Sequence, residues 1–298
     1  MILAAGKGTR LLPLTKNLPK CLMPLAGRPL IDWQLSWLKK HGVTECVINL
    51  HYLPEQVRAH CGDGASYGLH VEYSFEPELL GTAGAVKKVA DFFNAAPFFL
   101  IYGDNFSQWD LGRLQACFDT RQKCSPVSFV GANTGQNGVG VGCASISFES
   151  HEDSKQFPHF QRAADSGRGA LGVMAVHWRE DVTQSGMVEM DSENRIVRPV
   201  EKPKSGEVTS HYVNAGFYYL DPKVLDFIPE GEFCDFAHHV FPKMLEAGER
   251  IYAVKMEDPI IGIDTMEAYN WANAFASKLI LSSRTKSTRS TRSTKQTS

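Results

Sequence analysis

Short apolar runs alternate with amphipathic stretches along the first hundred residues of the chain. The apolar runs are typical of buried strands and predict them at residues 1–5, 45–50, 70–75 and 98–102. Helical spacing of apolar positions predicts helices at residues 30–41, 54–60 and 82–93. Because strands that alternate with helices form crossover units, we expect an α/β fold with a mostly parallel, Rossmann-like mixed sheet and helices on both faces.

The second half of the chain is richer in strand patterns. These predict strands at residues 171–177, 186–190, 196–201, 213–220 and 251–255, and helices at residues 236–247 and 270–281. Residues 126–169, rich in Gly, Ser, Asn and Gln, are interpreted as an inserted loop region. Residues 282–298 are a Ser, Thr, Lys and Arg repeat that cannot bury apolar surface, which predicts disorder. We therefore expect a single domain over residues 1–281, followed by a disordered tail.

Composition narrows the class of protein. The chain has 298 residues, of which 43% are hydrophobic and 21% charged, as in ordinary soluble globular proteins. A formal net charge of −2 argues against a nucleic-acid partner. No apolar run is as long as a membrane span, and the N-terminal pattern is not that of a signal peptide. Seven scattered cysteines without a C-x-x-C pair add to the expectation of a cytoplasmic protein with reduced thiols.

A glycine-rich loop follows the first predicted strand directly. Gly6 and Gly8 allow backbone N–H groups to turn toward a bound anion. Three cations lie in or near this loop: Lys7, Arg10 and Lys20. The spacing is not that of a Walker loop, and Leu11 stands where a dinucleotide-binding fingerprint has its third glycine. Together these residues are suited to holding a triphosphate.

The full N-terminal run is more specific than the glycines alone. It reads L-A-A-G-x-G-T-R-L-x-P-L-T over residues 3–15 and P-K-x-x-x-P over residues 19–24. This pattern is similar to the signature of the nucleotide-sugar pyrophosphorylases, which are sugar-1-phosphate nucleotidyltransferases. The resemblance implies the nucleotide-diphospho-sugar transferase fold, with a β-rich sugar-binding second half. It also implies catalytic roles for Arg10 and Lys20, and nucleotide contacts from Leu3, Ala4, Ala5, Gly6, Gly8 and Thr9.

A second glycine motif, L-G-T-A-G-A, opens the third predicted helix at residues 80–85. Small residues there allow a flat base to lie against the backbone, although they equally permit a close contact between a helix and the sheet. The motif resembles that of the guanylyltransferase branch, especially the mannose-1-phosphate and heptose-1-phosphate guanylyltransferases. The resemblance implies GTP as the nucleotide, with contacts from Gly81, Thr82 and Gly84.

Two carboxylates are candidate Mg²⁺ ligands. Asp104 follows a buried strand, where a side chain faces the ligand crevice of an open α/β sheet, and it matches a G-D motif of the family. The family's second metal motif, D-I-G-T-P-E, is altered here to G-I-D-T-M-E over residues 262–267. In strict register Gly262 replaces the metal aspartate. We favour Asp264 as the second ligand, with Asp258 as the alternative.

Three short motifs in the second half match family positions that contact the sugar phosphate. They are E-K-P at residues 201–203, N-A-G at residues 214–216 and a glycine before a strand. The resemblance implies sugar-phosphate contacts from Gly186, Glu201, Lys202 and Asn214.

The function expected from these motifs is condensation of an NTP with a sugar 1-phosphate to give an NDP-sugar and pyrophosphate. The expected substrates are GTP and a mannose- or heptose-type sugar 1-phosphate, with Mg²⁺ as cofactor. Two alternatives stay open at this point. The first keeps the chemistry but uses UTP, dTTP or CTP, and the second is a regulatory homologue that binds a nucleotide sugar without turnover. A homo-oligomer is compatible with the sequence.

Overall fold

The computed structural model describes residues 1–122 and 169–293. The inserted loop region predicted at residues 126–169 therefore lies outside the described residues except for Gly169. The last five residues of the predicted tail lie outside them as well.

The described strands and helices follow one another along most of the chain. The strands of the first range are β1 (Ile2–Leu3), β2 (Pro24–Leu25), β3 (Arg28–Pro29), β4 (Glu45–Leu50), β5 (His70–Phe75), β6 (Phe98–Tyr102) and β7 (Asn105–Phe106). Those of the second are β8 (Ala170–Trp178), β9 (Gly186–Met190), β10 (Ile196–Glu201), β11 (Tyr212–Leu220), β12 (Arg250–Met256) and β13 (Ile261–Gly262). The α-helices are α1 (Leu30–Lys40), α2 (Pro54–Cys61), α3 (Gly81–Lys88), α4 (Gly112–Gln122), α5 (Phe241–Glu246) and α6 (Met266–Ser293).

A mixed sheet of nine strands forms the centre of the molecule. Its order along one path is β10-β9-β11-β6-β1-β4-β5, and β8 joins β11 to β12. The pairs among β6, β1, β4 and β5 are all parallel, as the alternation of strands and helices predicts. β11 runs antiparallel to β6 and connects the two halves of the sheet. The predicted mixed sheet with a parallel first half is confirmed.

Helices cover both faces of this sheet and bury a separate apolar core on each. On one face the core includes residues of α1, α2 and α4, among them Leu35, Val57 and Phe118. On the other face it includes residues of α3 and α5, among them Val86 and Phe241. This two-sided arrangement leaves the carboxyl ends of β1, β4 and β6 at one edge, where open α/β sheets bind ligands.

The largest difference from the sequence-based expectation concerns the last helix. A helix was expected at residues 270–281, and α6 instead runs from Met266 to Ser293, into the segment that composition predicts as disordered. Residues 266–293 contain neither Gly nor Pro, so no residue in them breaks the helical hydrogen-bond ladder. The low apolar content of this segment does not by itself interrupt the helix.

A second difference lies in the helix expected at residues 236–247. The chain there forms a π-helical turn at Phe236–Val240 before α5 begins. Asp235 precedes that turn, and its side chain accepts hydrogen bonds from the backbone N–H groups of Ala237 and His238.

Within the described ranges no helix combines the length and apolar character needed to cross a membrane.

Candidate active site

The glycine-rich loop leaves the sheet immediately after β1. The backbone N–H of Ala4 donates to Asn49 Oδ1 on the neighbouring strand β4 at 2.7 Å, so the strand ladder ends there. Gly8 has a φ of +63°, and a Cβ at this position would lie only 3.1 Å from Thr15 Cγ2 and 3.3 Å from Lys20 Cβ. The Thr15 hydroxyl donates to the Gly8 carbonyl at 2.8 Å. Glycine is therefore required at this bend, which brings the loop against Lys20.

Lys20 is the centre of an ion cluster. Its side chain is buried, with 8% of the residue exposed. The ammonium donates to Asp104 Oδ2 at 2.7 Å and to Asp264 Oδ1 at 2.6 Å. Arg10 contacts the same Asp264 oxygen at 2.9 Å, with most of its own side chain in solvent. Four of the residues implicated by the sequence motifs thus meet at one point.

Electrostatics fix the charge state of Lys20. Burial by itself lowers the pKa of this amine, because it disfavours the charged form. The charges of Asp104 and Asp264, and the hydrogen bonds to them, outweigh burial and raise the pKa above its usual value. Lys20 is therefore a permanent cation at neutral pH.

A small two-stranded sheet brings the two carboxylates together. β13 pairs antiparallel with β7, with Gly262 opposite Asn105. The backbone N–H of Ile263 donates to the Asp104 carbonyl at 2.8 Å. Asp264 follows directly and lies beside Asp104 although 160 positions separate them in the chain. The alternative ligand Asp258 is exposed and lines neither of the clefts described below.

A cleft of about 410 Å³ opens over the glycine-rich loop. Of the residues predicted to contact the nucleotide or to catalyse, those that line it are Leu3, Ala4, Ala5, Gly6, Gly8, Thr9, Arg10, Lys20, Gly81 and Thr82. Both predicted metal ligands, Asp104 and Asp264, line it too. We call this space the first cleft.

Gly84 does not line the first cleft, in contrast to the prediction of a nucleotide contact. A Cβ at Gly84 would lie 2.7 Å from the carbonyl oxygen of Glu232 and 3.0 Å from Leu80 Cβ. The residue is a glycine because another segment of backbone packs against the helix at that point. The alternative interpretation of this motif was a close contact between the helix and the sheet; the close contact at Gly84 is instead with the segment that carries Glu232.

A second cleft of about 470 Å³ adjoins the first. Three predicted sugar-phosphate residues line it: Gly186, Glu201 and Asn214. Six residues line both clefts and form a shared wall: Arg10, Thr82, Tyr102, Asp104, Asp235 and Asp264. The ion cluster of Lys20 thus lies where the two spaces meet.

Lys202 is the exception among the predicted sugar-phosphate residues. Its backbone adopts a φ of +49° directly after β10, its N–H donates to the Ser185 carbonyl, and its side chain is exposed. Lys202 does not line the second cleft, whereas Arg179 and His238 do. The left-handed backbone at Lys202 carries the side chain away from the direction that an extended strand would give it.

Glu201 is held inside the second cleft. Burial raises the pKa of its carboxyl group, and the nearby His238 and Lys202 oppose that shift. Glu201 Oε2 lies 2.7 Å from the position that a Cβ on Gly186 would occupy. Glycine at position 186 therefore makes room for the carboxylate. Asn214 exchanges hydrogen bonds with the Tyr218 hydroxyl at 2.6 and 2.9 Å, which fixes its amide at the cleft wall.

Sequence reasoning missed an acidic group in the first cleft. Glu76 follows β5 and is 1% exposed. One carboxylate oxygen accepts a hydrogen bond from Asn49 Nδ2 at 2.7 Å, and the other accepts from the backbone N–H of Leu80 at 3.1 Å. Both Asn49 and Glu76 line the cleft. Their position near the carboxyl ends of buried parallel strands was the signal that could have identified them.

The donor set at the ion cluster fits one kind of metal site. The described residues contain no group of three or more His, Cys, Asp or Glu side chains placed to hold a metal ion. Asp104 and Asp264 each give one carboxylate oxygen to Lys20 Nζ, and the second oxygen of each carboxylate takes no part in these bonds. Mg²⁺ in phosphate-binding proteins is typically held by one or two carboxylates and the phosphates of the substrate. The two aspartates fit such a site.

Comparison with known proteins agrees with this geometry. The sequence profile described as nucleotidyl transferase matches residues 1–157 and 152–274. A UTP–glucose-1-phosphate uridylyltransferase from Synechocystis sp. is 27% identical over 282 residues, covering 90% of this chain and 61% of the relative. A mannose-1-phosphate guanylyltransferase from Mycobacterium tuberculosis is 29% identical over 253 residues, covering 85% of this chain and 57% of the relative. The chain thus spans about three fifths of the length of these curated relatives.

A solved structure shows the same fold. The HddC protein of Yersinia pseudotuberculosis superimposes with a TM-score of 0.65 at 21% identity, over 92% of this chain and 96% of that one. The profile match extends over both the glycine-rich loop and the segment that carries Asp264. On these grounds the chain belongs to the nucleotidyl transferase family.

Proposed function

We propose that this chain transfers a nucleotidyl group from an NTP to a sugar 1-phosphate, giving an NDP-sugar and pyrophosphate. The observation that carries the proposal is the shared wall between the two clefts. A triphosphate over the glycine-rich loop and a sugar phosphate in the second cleft would both place phosphates at Arg10, Asp104 and Asp264. The two reacting groups are thereby brought together by the fold, which lowers the entropic part of the barrier.

In the proposed reaction a phosphate oxygen of the sugar 1-phosphate attacks the α-phosphorus of the NTP in line. The new P–O bond forms as the bond to the β-phosphate oxygen breaks, and its electron pair leaves with pyrophosphate. Both reactants are polyanions, so alignment and charge neutralisation dominate catalysis. Lys20, fixed as a cation, neutralises charge at the triphosphate, and Arg10 approaches from the open side of the cleft.

Asp104 and Asp264 are the residues that would hold Mg²⁺. When bound, the ion supplies neutralisation of the negative charge on the phosphates. Lys20 then keeps the two carboxylates in place, because both accept hydrogen bonds from its ammonium. On the sugar side, Glu201 and Asn214 offer an acceptor and an amide to sugar hydroxyls.

GTP is the proposed nucleotide. The buried Glu76 carboxylate has accepting capacity beyond its two protein hydrogen bonds. Guanine presents adjacent N1–H and N2–H donors, whereas uracil presents one ring N–H between two carbonyl oxygens. A carboxylate in the first cleft therefore favours guanine. The mannose-1-phosphate guanylyltransferase relative supports GTP and a mannose-type sugar, while the uridylyltransferase relative supports the shared chemistry.

Pyrophosphate release tests the proposal. GTP, UTP, dTTP and CTP would each be combined with mannose 1-phosphate, glucose 1-phosphate and a heptose 1-phosphate in the presence of Mg²⁺. We expect release with GTP and one of the sugar phosphates. Absence of release from every pair, with GDP-mannose still bound, would contradict the proposal and indicate a binding-only regulatory protein.

A further inference from the structure

One side chain at the first cleft has no role in the reaction described above. Phe233 is 64% exposed, the highest value among the large apolar side chains of the described residues. It lines the first cleft together with Leu79, which is 43% exposed. Two exposed apolar side chains at the wall of a cleft that also holds phosphate-binding and acidic groups indicate a subsite for a flat, weakly polar group.

The segment that carries Phe233 comes from the second half of the chain and docks on the start of α3. The backbone N–H of Cys234 donates to the Leu80 carbonyl at 2.9 Å. The Cys234 carbonyl accepts from the N–H groups of Ala83 at 2.9 Å and Gly84 at 3.1 Å. These three bonds attach the segment to the first turn of the helix and satisfy N–H groups that a helix leaves free at its start.

Side chains complete the attachment. The Thr82 hydroxyl donates to Asp235 Oδ2 at 2.8 Å and accepts from the N–H of Phe236 at 2.9 Å. Asp235 in turn caps the π-helical turn that follows it. The chain is therefore fixed directly after Phe233.

The two glycines of the motif make this docking possible. Gly81 has a φ of +75°, and a Cβ there would lie 2.4 Å from the Cys234 carbonyl oxygen and 3.2 Å from Phe233 Cε2. A Cβ on Gly84 would lie 2.7 Å from the Glu232 carbonyl oxygen. Both glycines are thus explained by the close approach of residues 232–234 to the helix.

We infer that the G-T-A-G motif holds the following segment so that Phe233 lies at the first cleft, where its ring stacks on the nucleobase. The inference rests on the proposed function and adds a nucleotide-binding residue to it. Glu76 meets the donor edge of the base, while Phe233 and Leu79 offer apolar surface to its face. A purine has more stacking surface than a pyrimidine, so this ring also favours guanine over uracil.

Equilibrium binding to the full chain tests this role. Stacking on an aromatic side chain is worth enough that Phe233→Ala should weaken GTP binding by about tenfold or more. Binding of inorganic tripolyphosphate, which has no base, should stay unchanged. Phe233→Trp keeps an aromatic ring and should bind GTP about as tightly as the unmodified chain. GTP, but not tripolyphosphate, should quench the fluorescence of the added tryptophan. The matched control is Phe75→Ala, which removes an exposed phenylalanine outside both clefts.

Two results would overturn the inference. In the first, Phe233→Ala binds GTP as tightly as the unmodified chain. In the second, it loses affinity for GTP and tripolyphosphate equally, which would show a general structural effect. These measurements need no turnover. A chain that binds GTP but releases no pyrophosphate would contradict the proposed function, and the binding data would still decide the role of Phe233.

Discussion

A single buried lysine holds the ion cluster of the candidate site together. Lys20 is held in the charged form by Asp104 and Asp264 against the opposing effect of burial. Removing Lys20 takes this partner from both carboxylates and leaves Asp264 paired with Arg10 alone. Substitutions of single residues in this cluster are therefore the most direct tests of the proposed chemistry.

Lys20→Ala should lower the rate of pyrophosphate release by about 10²–10³, the range for loss of one preorganised electrostatic group. The matched control is Lys16→Ala, which removes an exposed lysine between the glycine-rich loop and Lys20 that lines neither cleft. Initial rates at saturating substrate would be compared, with circular dichroism to verify folding. Equal rates for the two variants would contradict the proposed role.

His177 provides a pH test. Burial and, second, the nearby Arg179 lower its pKa to about 4, from a usual value of 6.5. Between these values the unfolded chain binds a proton that the folded chain does not, so stability falls as pH decreases below 6.5. Lowering the pH from 7 to 5 should therefore reduce the free energy of unfolding by about 2 kcal/mol through this residue.

Urea unfolding at both pH values measures the effect. His177→Gln should remove the decrease in unfolding free energy that His177 causes between pH 7 and pH 5. His70→Gln, at an exposed histidine, serves as the control. An equal pH dependence in the His177 variant and the unmodified chain would show that the imidazole is not shielded as the structure indicates.

At the scale of elements, the start of α3 is one of the places where the two halves of the chain contact each other. Gly84→Ala should lower the free energy of unfolding by about 1–3 kcal/mol, because its Cβ would overlap the Glu232 carbonyl. At an open helical position the same change would be stabilising. Gly206→Ala, where a Cβ meets nothing within 4 Å, is the control. Urea unfolding that ranks Gly84→Ala as the more stable variant would contradict the close packing.

Elements with strong local signals could be predicted from sequence, and those made by distant pairing could not. The strands at residues 45–50 and 98–102 have the predicted bounds because mostly apolar runs mark buried parallel strands. The two-residue pairing of β7 with β13 has no local pattern, yet it places Asp264 beside Asp104. Glu76 was missed for a similar reason, since its partners Asn49 and Leu80 come from different elements.

The whole molecule is built around one continuous sheet. β11 of the second half pairs with β6 of the first, with Phe217 opposite Ile101. We propose that the two halves form one cooperative domain. Urea transitions followed by tryptophan fluorescence and by far-ultraviolet circular dichroism should therefore coincide. Two separated transitions would show that the halves are independent.

The shared wall of the two clefts has a kinetic consequence. Under the proposed reaction, the NDP-sugar product carries both the nucleotide and the sugar, so a single product molecule spans both spaces. While it remains bound, neither substrate can enter. Release of the product therefore frees both substrate positions at the same time. Accumulated product slows its own synthesis because it occupies both positions together.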